Sequence, residues 1–187
     1  AYIGDDKVLY FGGIDAATLS TLSNETWVYD LSENTWTIIT PAGNVPTARL
    51  FAFVAYAGGD QVVLFGGWDN VQQNTDTWVY DLSANTWTQK SPSTQPANHG
   101  IAVSMTSFGG DQVLLITNSS SSPNESATWL YDVSDDSWLL KKEAAQTPSN
   151  NEGQILTHVP GTDRAILFGG YPATSLTYLY DHSDNQW

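Results

Sequence analysis

The chain has no cysteine, few basic residues and no long apolar run. Without cysteine there are no disulfide staples, no thiol catalysis, no Cys-ligated zinc and no iron–sulfur cluster. At 187 residues it is long enough to bury a core without such staples. Lys and Arg together number 6 against 20 Asp and Glu, for a net charge of −14. Only 14% of residues are charged, so the acidity reflects missing bases more than abundant acids. So few cations cannot form the basic stripe that a nucleic-acid backbone requires, nor dock electrostatically on anionic lipid. No segment approaches the ~20 apolar residues of a membrane-spanning helix, and none carries a long apolar period of 3.6. No His-x-x-x-His pair, tight carboxylate cluster or EF-hand spacing occurs, so no metal and no cofactor is expected.

What is present repeats. TWVYDL stands at Thr26–Leu31 and again at Thr77–Leu82, followed by TWLYDV at Thr128–Val133 and TYLYDH at Thr177–His182. The aromatics Trp27, Trp78, Trp129 and Tyr178 are spaced by 51, 51 and 49 residues. A second series, Trp36, Trp87, Trp138 and Trp187, keeps the same spacings. Upstream lie VLYFGG ending at Gly13, VVLFGG at Gly67 and AILFGG at Gly170, with a degenerate copy, VLLITN, ending at Asn118. Each is preceded by a turn sequence: GDDK from Gly4, GGDQ from Gly58, GGDQ from Gly109 and GTDR from Gly161. So many matched landmarks at one period identify a repeat architecture.

Each repeat reads as four short strands of β-branched and aromatic residues bounded by Gly, Asp, Asn, Pro and Ser. Four antiparallel strands in ~50 residues cannot bury both faces alone; stacked radially they can, which is the logic of a propeller. The blades are expected at about residues 1–40, 48–91, 98–142 and 151–187, in one repeat region spanning 1–187.

These residues resemble the kelch repeat, the galactose-oxidase-like β-propeller motif: a hydrophobic strand ending in Gly-Gly, then Tyr-Asp, then Trp about six residues on. The matches are Gly12-Gly13 with Tyr29, Asp30 and Trp36; Gly66-Gly67 with Tyr80, Asp81 and Trp87; and Gly169-Gly170 with Tyr180, Asp181 and Trp187. The third repeat keeps Tyr131, Asp132 and Trp138 but has Thr117-Asn118 for the glycines. The Pro-x-x-Arg that leads into the innermost strand matches only at Pro46 and Arg49. The resemblance implies an all-β propeller of four-stranded antiparallel blades. Four fit this chain, the first and last incomplete, as an open arc or part of a larger propeller. It implies little about activity.

Most landmarks read as structure. The Gly-Gly pairs lack the Lys-Ser/Thr and following helix of a phosphate loop; glycine permits close backbone approach or positive φ at a strand end. A Trp recurring once per blade reads as packing between blades. An Asp in every Tyr-Asp pair, ahead of a turn, reads as a turn-forming carboxylate.

Departures from the repeat carry the functional signal. The loops between second and third strands, residues 14–25, 68–76, 119–127 and 171–176, differ in length and sequence. Two open on an aromatic directly after Gly-Gly, Trp68 and Tyr171. With Asp69 and Asn70 beside Trp68, these could stack on a sugar or anchor a protein. Arg49, His99 and Asn151 hold equivalent repeat positions and could converge on a small ligand, although Arg49 taken alone reads first as a structural partner for backbone carbonyls. Asn-x-Ser/Thr sequons at Asn24, Asn118 and Asn124 lie in or beside the variable loops. Their number is what chance supplies; their placement, with the polar composition, suits an extracellular or cell-surface glycoprotein.

Known chemistries of the fold do not transfer. Copper radical oxidases of this family use a Cys-linked Tyr, and there is no Cys. The iron motif of nitrile-specifier proteins, Glu-x3-Asp-x3-His, is absent. Adaptors that read acidic peptides use an Arg-rich face, and there are two Arg. For a sugar epimerase, the lesser alternative, no acid–base pair stands out. The expectation is a non-catalytic propeller that binds protein or carbohydrate through its loop face. The alternative is a structural unit that self-assembles head-to-tail through its terminal blades. Ala1-Tyr2 aligns on Ala55-Tyr56, at the end of an innermost strand, and Trp187 precedes an outermost one. The chain is then a segment of a longer one, the preferred reading, or its neighbours supply the missing strands.

Overall fold

The computed structural model describes residues 1–17, 19–97, 104–121, 125–143, 147–149, 152–171 and 175–187. Its fifteen strands form four antiparallel sheets in sequence order, within two compact units, Ala1–Ser91 and Pro92–Trp187. The first unit holds β1 (Tyr2–Gly4), β2 (Lys7–Phe11), β3 (Thr26–Asp30) and β4 (Thr35–Ile39) in one sheet. Its second sheet is β5 (Phe53–Gly58), β6 (Gln61–Phe65), β7 (Thr77–Asp81) and β8 (Thr86–Gln89). The second unit holds β9 (Ser104–Gly109), β10 (Gln112–Asn118), β11 (Ser126–Asp132) and β12 (Ser137–Glu143). Its other sheet is β13 (Glu152–Val159), β14 (Arg164–Tyr171) and β15 (Thr177–Asp181). Strand order within every sheet is that of a simple meander. Among the described residues the first sheet has four strands, with β1 three residues long, and the last has three. No helix among the described residues is long and apolar enough to cross a membrane.

Turn chemistry sets the register. Between paired Gly58 and Gln61, Gly59 and Asp60 both have positive φ (53° and 65°). Asp5-Asp6 and Gly110-Asp111 do the same in their sheets, which is the two-residue hairpin turn that matches strand twist. The outer hairpins are held by the Tyr-Asp pair. The Asp81 carboxylate accepts from Ala84 N (2.7 Å) and Ser83 Oγ (2.8 Å), and Tyr80 Oη donates to Asn85 Oδ1 (2.6 Å). Asp30, Asp132 and Asp181, with Tyr29, Tyr131 and Tyr180, repeat the arrangement. The turn-forming reading of this aspartate therefore holds, and these backbone N–H donors lower the pKa of Asp30, Asp81 and Asp181.

Within each unit the two sheets pack face to face through alternate strand residues. In the first, Leu9 and Phe11 meet Val62, Leu64, Trp78, Tyr80 and Trp87. In the second, Leu114, Ile116 and Leu130 meet Leu156, Ala165, Leu167 and Tyr180. The same polar stitches recur in both seams. Trp87 Nε1 donates to Thr26 Oγ1 (3.1 Å) and Asn85 Nδ2 to Thr40 O (3.0 Å). Trp187 Nε1 donates to Thr128 Oγ1 (2.9 Å) and Asn185 Nδ2 to Lys141 O (2.7 Å). Buried indole and hydroxyl groups thus satisfy each other across the seam. The expected inter-blade role of the second tryptophan series is met at Trp87 and Trp187, whereas Trp36 is exposed.

Candidate functional site

The candidate site of the first unit lies at the sheet ends where the residue 14–25 and 68–76 loops emerge, beside the segment that leads into β5. Arg49 anchors it. Its backbone belongs to the first sheet's loop: Gly13 N donates to Arg49 O (2.8 Å) and Arg49 N to Ser23 O (3.0 Å). Its side chain belongs to the second sheet. Nε donates to Thr47 O (3.0 Å), and Nη1 to Gly66 O (2.9 Å) and Asp76 Oδ1 (2.6 Å). Nη2 donates to Thr47 Oγ1 (2.8 Å) and Asp76 Oδ2 (3.0 Å). All five guanidinium N–H groups are spent within the protein, and the side chain is fully buried.

The reading of Arg49 as a structural partner for backbone carbonyls holds, and its place in a ligand site does not: it has no donor left to offer. It is a clasp between blades. The other two residues of that constellation, His99 and Asn151, lie outside the described residues. Gly12 and Gly67 leave room for the clasp. A Cβ on Gly67 (φ 101°) would sit 2.9 Å from Leu50 O and 3.0 Å from Arg49 Cδ; one on Gly12 would sit 2.6 Å from Arg49 O.

Asp76 is the partner that sequence reasoning missed. Besides Arg49 it accepts from Trp78 Nε1 (2.7 Å), two residues on, as Glu25 Oε2 does from Trp27 Nε1 (2.9 Å). The signal was present as an acid two residues before the first tryptophan. In the third and fourth repeats that position is Ala127 and Leu176, and those repeats have also lost the arginine. Acid and arginine depart together, as a buried ion pair requires. Trp129 is correspondingly left with a buried Nε1 that has no acceptor among the described residues.

Trp68 exchanges backbone hydrogen bonds with Leu50 (2.8 and 3.0 Å) and is half-buried. Asp69 Oδ1 accepts from Val71 N (3.0 Å) and Gln72 N (2.9 Å), and these donors, Gln72 first, lower its pKa. Asn70 is exposed in the left-handed region (φ 72°), its amide reaching Ser20 O of the neighbouring loop (3.5 Å). Asp69 and Asn70 of this loop are thus engaged with backbone. Apolar side chains stand exposed around them: Leu19, Phe51 and Val71. Leu19 and Phe51 also take positive φ (49° and 58°), a conformation bulky side chains rarely adopt.

In the second unit Tyr171 ends β14 opposite Glu152 and is exposed. Glu143 gathers the 119–121 loop, accepting from Ser120 N (2.9 Å), Ser120 Oγ and Ser119 Oγ (3.2 Å); those bonds, the Ser120 hydroxyl first, lower its pKa. Of the sequon asparagines, Asn24 is exposed in its loop. Asn118 closes β10 opposite Ser126 with its Oδ1 buried, and Asn124 lies outside the described residues. Among the described residues no three His, Cys, Asp or Glu gather as a metal site.

Meandering sheets with a Tyr–Asp turn and a Trp–Thr seam in each unit define a repeat β protein built of blades. The chain belongs to the kelch-repeat family: the KLHDC2/KLHL20/DRC7 Kelch-repeats domain matches it over residues 1–187. It is also similar to an N-(sulfonatooxy)prop-2-enimidothioate sulfolyase of Thlaspi arvense, 32% identical over 46% of this chain and 24% of the relative. An Acyl-CoA-binding domain-containing protein 5 of Arabidopsis thaliana is 24% identical over 88% of this chain and 26% of the relative. The chain spans about a quarter of the length of these curated relatives.

Proposed function

We propose that this chain is a non-catalytic kelch scaffold that binds a protein partner through the loop face of its first unit. One observation carries the reading: Leu19, Phe51 and Val71 project into solvent beside Asp69 and Asn70, whose side chains are bonded to loop backbone. Two of them sit in costly backbone conformations, and such strain collects where function retains it. A rigid base with exposed apolar tips suits protein recognition. The carboxylates serve turns and clasps rather than proton transfer, which supports a non-catalytic reading beside a relative named as a sulfolyase. A second reading, carbohydrate binding, draws on exposed Tyr171 directly after Gly169-Gly170. Exposed Asn24 supports an extracellular setting.

The test is affinity capture from the native source with wild type and a Leu19→Asp/Phe51→Asp/Val71→Asp variant, alongside a glycan array probed with wild type and Tyr171→Ala. A protein recovered by wild type and lost by the triple variant, at unchanged thermal midpoint, is the expected result. An identical recovery profile refutes the loop-face reading. Array binding that Tyr171→Ala abolishes moves the conclusion to carbohydrate.

A further inference from the structure

A cleft of about 600 Å³ opens between the two sheets of the first unit, at the end where their hairpin turns lie. Volumes of this order hold small organic ligands. The first sheet contributes apolar lining from Ile3, Val28 and Ile39, and the second adds Tyr80 and Leu82. The charged lining residues are Asp5, Asp30, Asp60 and Lys7, of which Asp5 and Asp60 are exposed. The cleft lies at the Gly4 end of β1, away from Ala1, and both of its walls are four-stranded sheets.

The second unit shows what fills the corresponding space when the chain itself supplies it. At the positions equivalent to Ile3, Val28 and Leu82 stand Phe108, Leu130 and His182. Phe108 reaches across to the neighbouring sheet, its ring centroid 6.5 Å from that of Tyr180 and 5.3 Å from that of His182. Tyr180 is the equivalent of Tyr80. Leu130 is buried where Val28 is half-buried. An aromatic ring thus occupies this place in the second unit, and smaller side chains leave it open in the first.

Charge selects the occupant. Lys7 is paired with Asp30 (3.9 Å). That leaves the carboxylates of Asp5 and Asp60, which have no hydrogen-bond or ion-pair partner among the described residues. The cleft combines room for a ring with uncompensated negative charge, on a chain whose net charge is −14. Such a site attracts a cation with a flat apolar body and repels an anion of the same shape.

We propose that this cleft binds a small aromatic amine, with its ring between the sheets beside Tyr80 and Leu82 and its ammonium group toward Asp5 and Asp60. The site lies at the opposite end of the sheets from the loop face proposed above, so either reading can fail alone.

Amide-resolved NMR titration of the 187-residue chain with phenethylamine tests this, with phenethyl alcohol and phenylacetate as neutral and anionic probes carrying the same ring. Saturable shifts with the amine are expected at residues 3–7, 28–30 and 80–82. The alcohol is expected to bind about threefold to tenfold more weakly, and the acid more weakly still. Asp5→Asn/Asp60→Asn keeps residues that tolerate the left-handed turn (φ 48° and 65°) at exposed positions, so its fold should be unchanged. It should weaken amine binding about threefold to tenfold and leave alcohol binding as it was. Ile3→Phe places the second unit's ring in the cleft and should abolish binding of both. An amine that gives no saturable shift at these residues overturns the proposal. So does an alcohol bound as tightly as the amine, or amine binding that the asparagine pair leaves unchanged.

Discussion

Removing Arg49 tests the clasp most directly. Arg49→Met keeps an apolar stem over Gly67 but strips Asp76 of its bidentate partner and leaves Gly66 O and Thr47 O without donors. Breaking a buried ion pair costs about 3–5 kcal/mol. Asp76 keeps 22% side-chain exposure and the Trp78 N–H, so the lower end, about 3 kcal/mol, applies. Asp76→Leu instead strands a guanidinium that is 1% exposed, so about 4 kcal/mol is expected. At about 2–4 °C per kcal/mol for a chain of this size, the thermal midpoint falls by about 6–12 °C for Arg49→Met. The double variant leaves no buried charge and loses only packing and neutral hydrogen bonds. It is expected to cost about 4 kcal/mol rather than the sum, a coupling of about 3 kcal/mol. The third and fourth repeats, with Ala127 and Leu176, are natural precedents for that double state. Urea denaturation followed by tryptophan fluorescence on all four proteins measures the cycle. A coupling under about 0.5 kcal/mol, the scatter of independent sites, would refute the clasp.

Three further outcomes are expected. Gly67→Ala meets Leu50 O at 2.9 Å in a left-handed backbone, so it should cost about 2–3 kcal/mol. Gly169→Ala, with positive φ but open space, should cost about 1 kcal/mol, and equal midpoints for the two would contradict the close-approach account. Thr26→Val leaves the Trp87 indole N–H without an acceptor inside a seam and should cost about 1–3 kcal/mol in urea titrations, whereas Thr37→Val on exposed β4 should be near neutral. Acid should destabilise. Asp30, Asp69, Asp81, Asp163, Asp181 and Glu143 have pKa values lowered by hydrogen bonds made only in the folded chain. Their contribution is complete above the unfolded value of about 4 and is lost as pH falls through the lower folded values. His182, whose pKa burial and then Lys141 lower from 6.5, acts with the same sign at milder acidity. Scanning calorimetry should show a midpoint that falls on acidification; one that rises would contradict these assignments.

Period, strand order and turn chemistry were legible because each depends on local pattern. Gly-Asp at Gly59-Asp60 announces a two-residue hairpin, and Asp81 with Ser83 and Asn85 announces the outer turn. The tryptophan series pointed to packing between blades, but not to Thr26 or Thr128 as acceptors. Those threonines sit in a different repeat from their partners, and the hydrogen bond exists only once two sheets stack. The acid partner of Arg49 was missed for a related reason. Its acid lies 27 residues downstream among many loop carboxylates, so an isolated cation and a saturated one look alike in sequence. Leu19 and Phe51 were invisible because their backbone conformation runs against the preference of their side chains.

Arg49 fixes the roots of two loops at once, through Ser23 and Gly13 on one side and Gly66 and Asp76 on the other. The tips beyond those roots contribute nothing to sheet register. Foreign peptides could therefore be grafted in place of residues 15–21 or 69–73 with the blades unchanged, since lengthening a surface loop costs little closure entropy. The tips can vary while the scaffold beneath them stays constant.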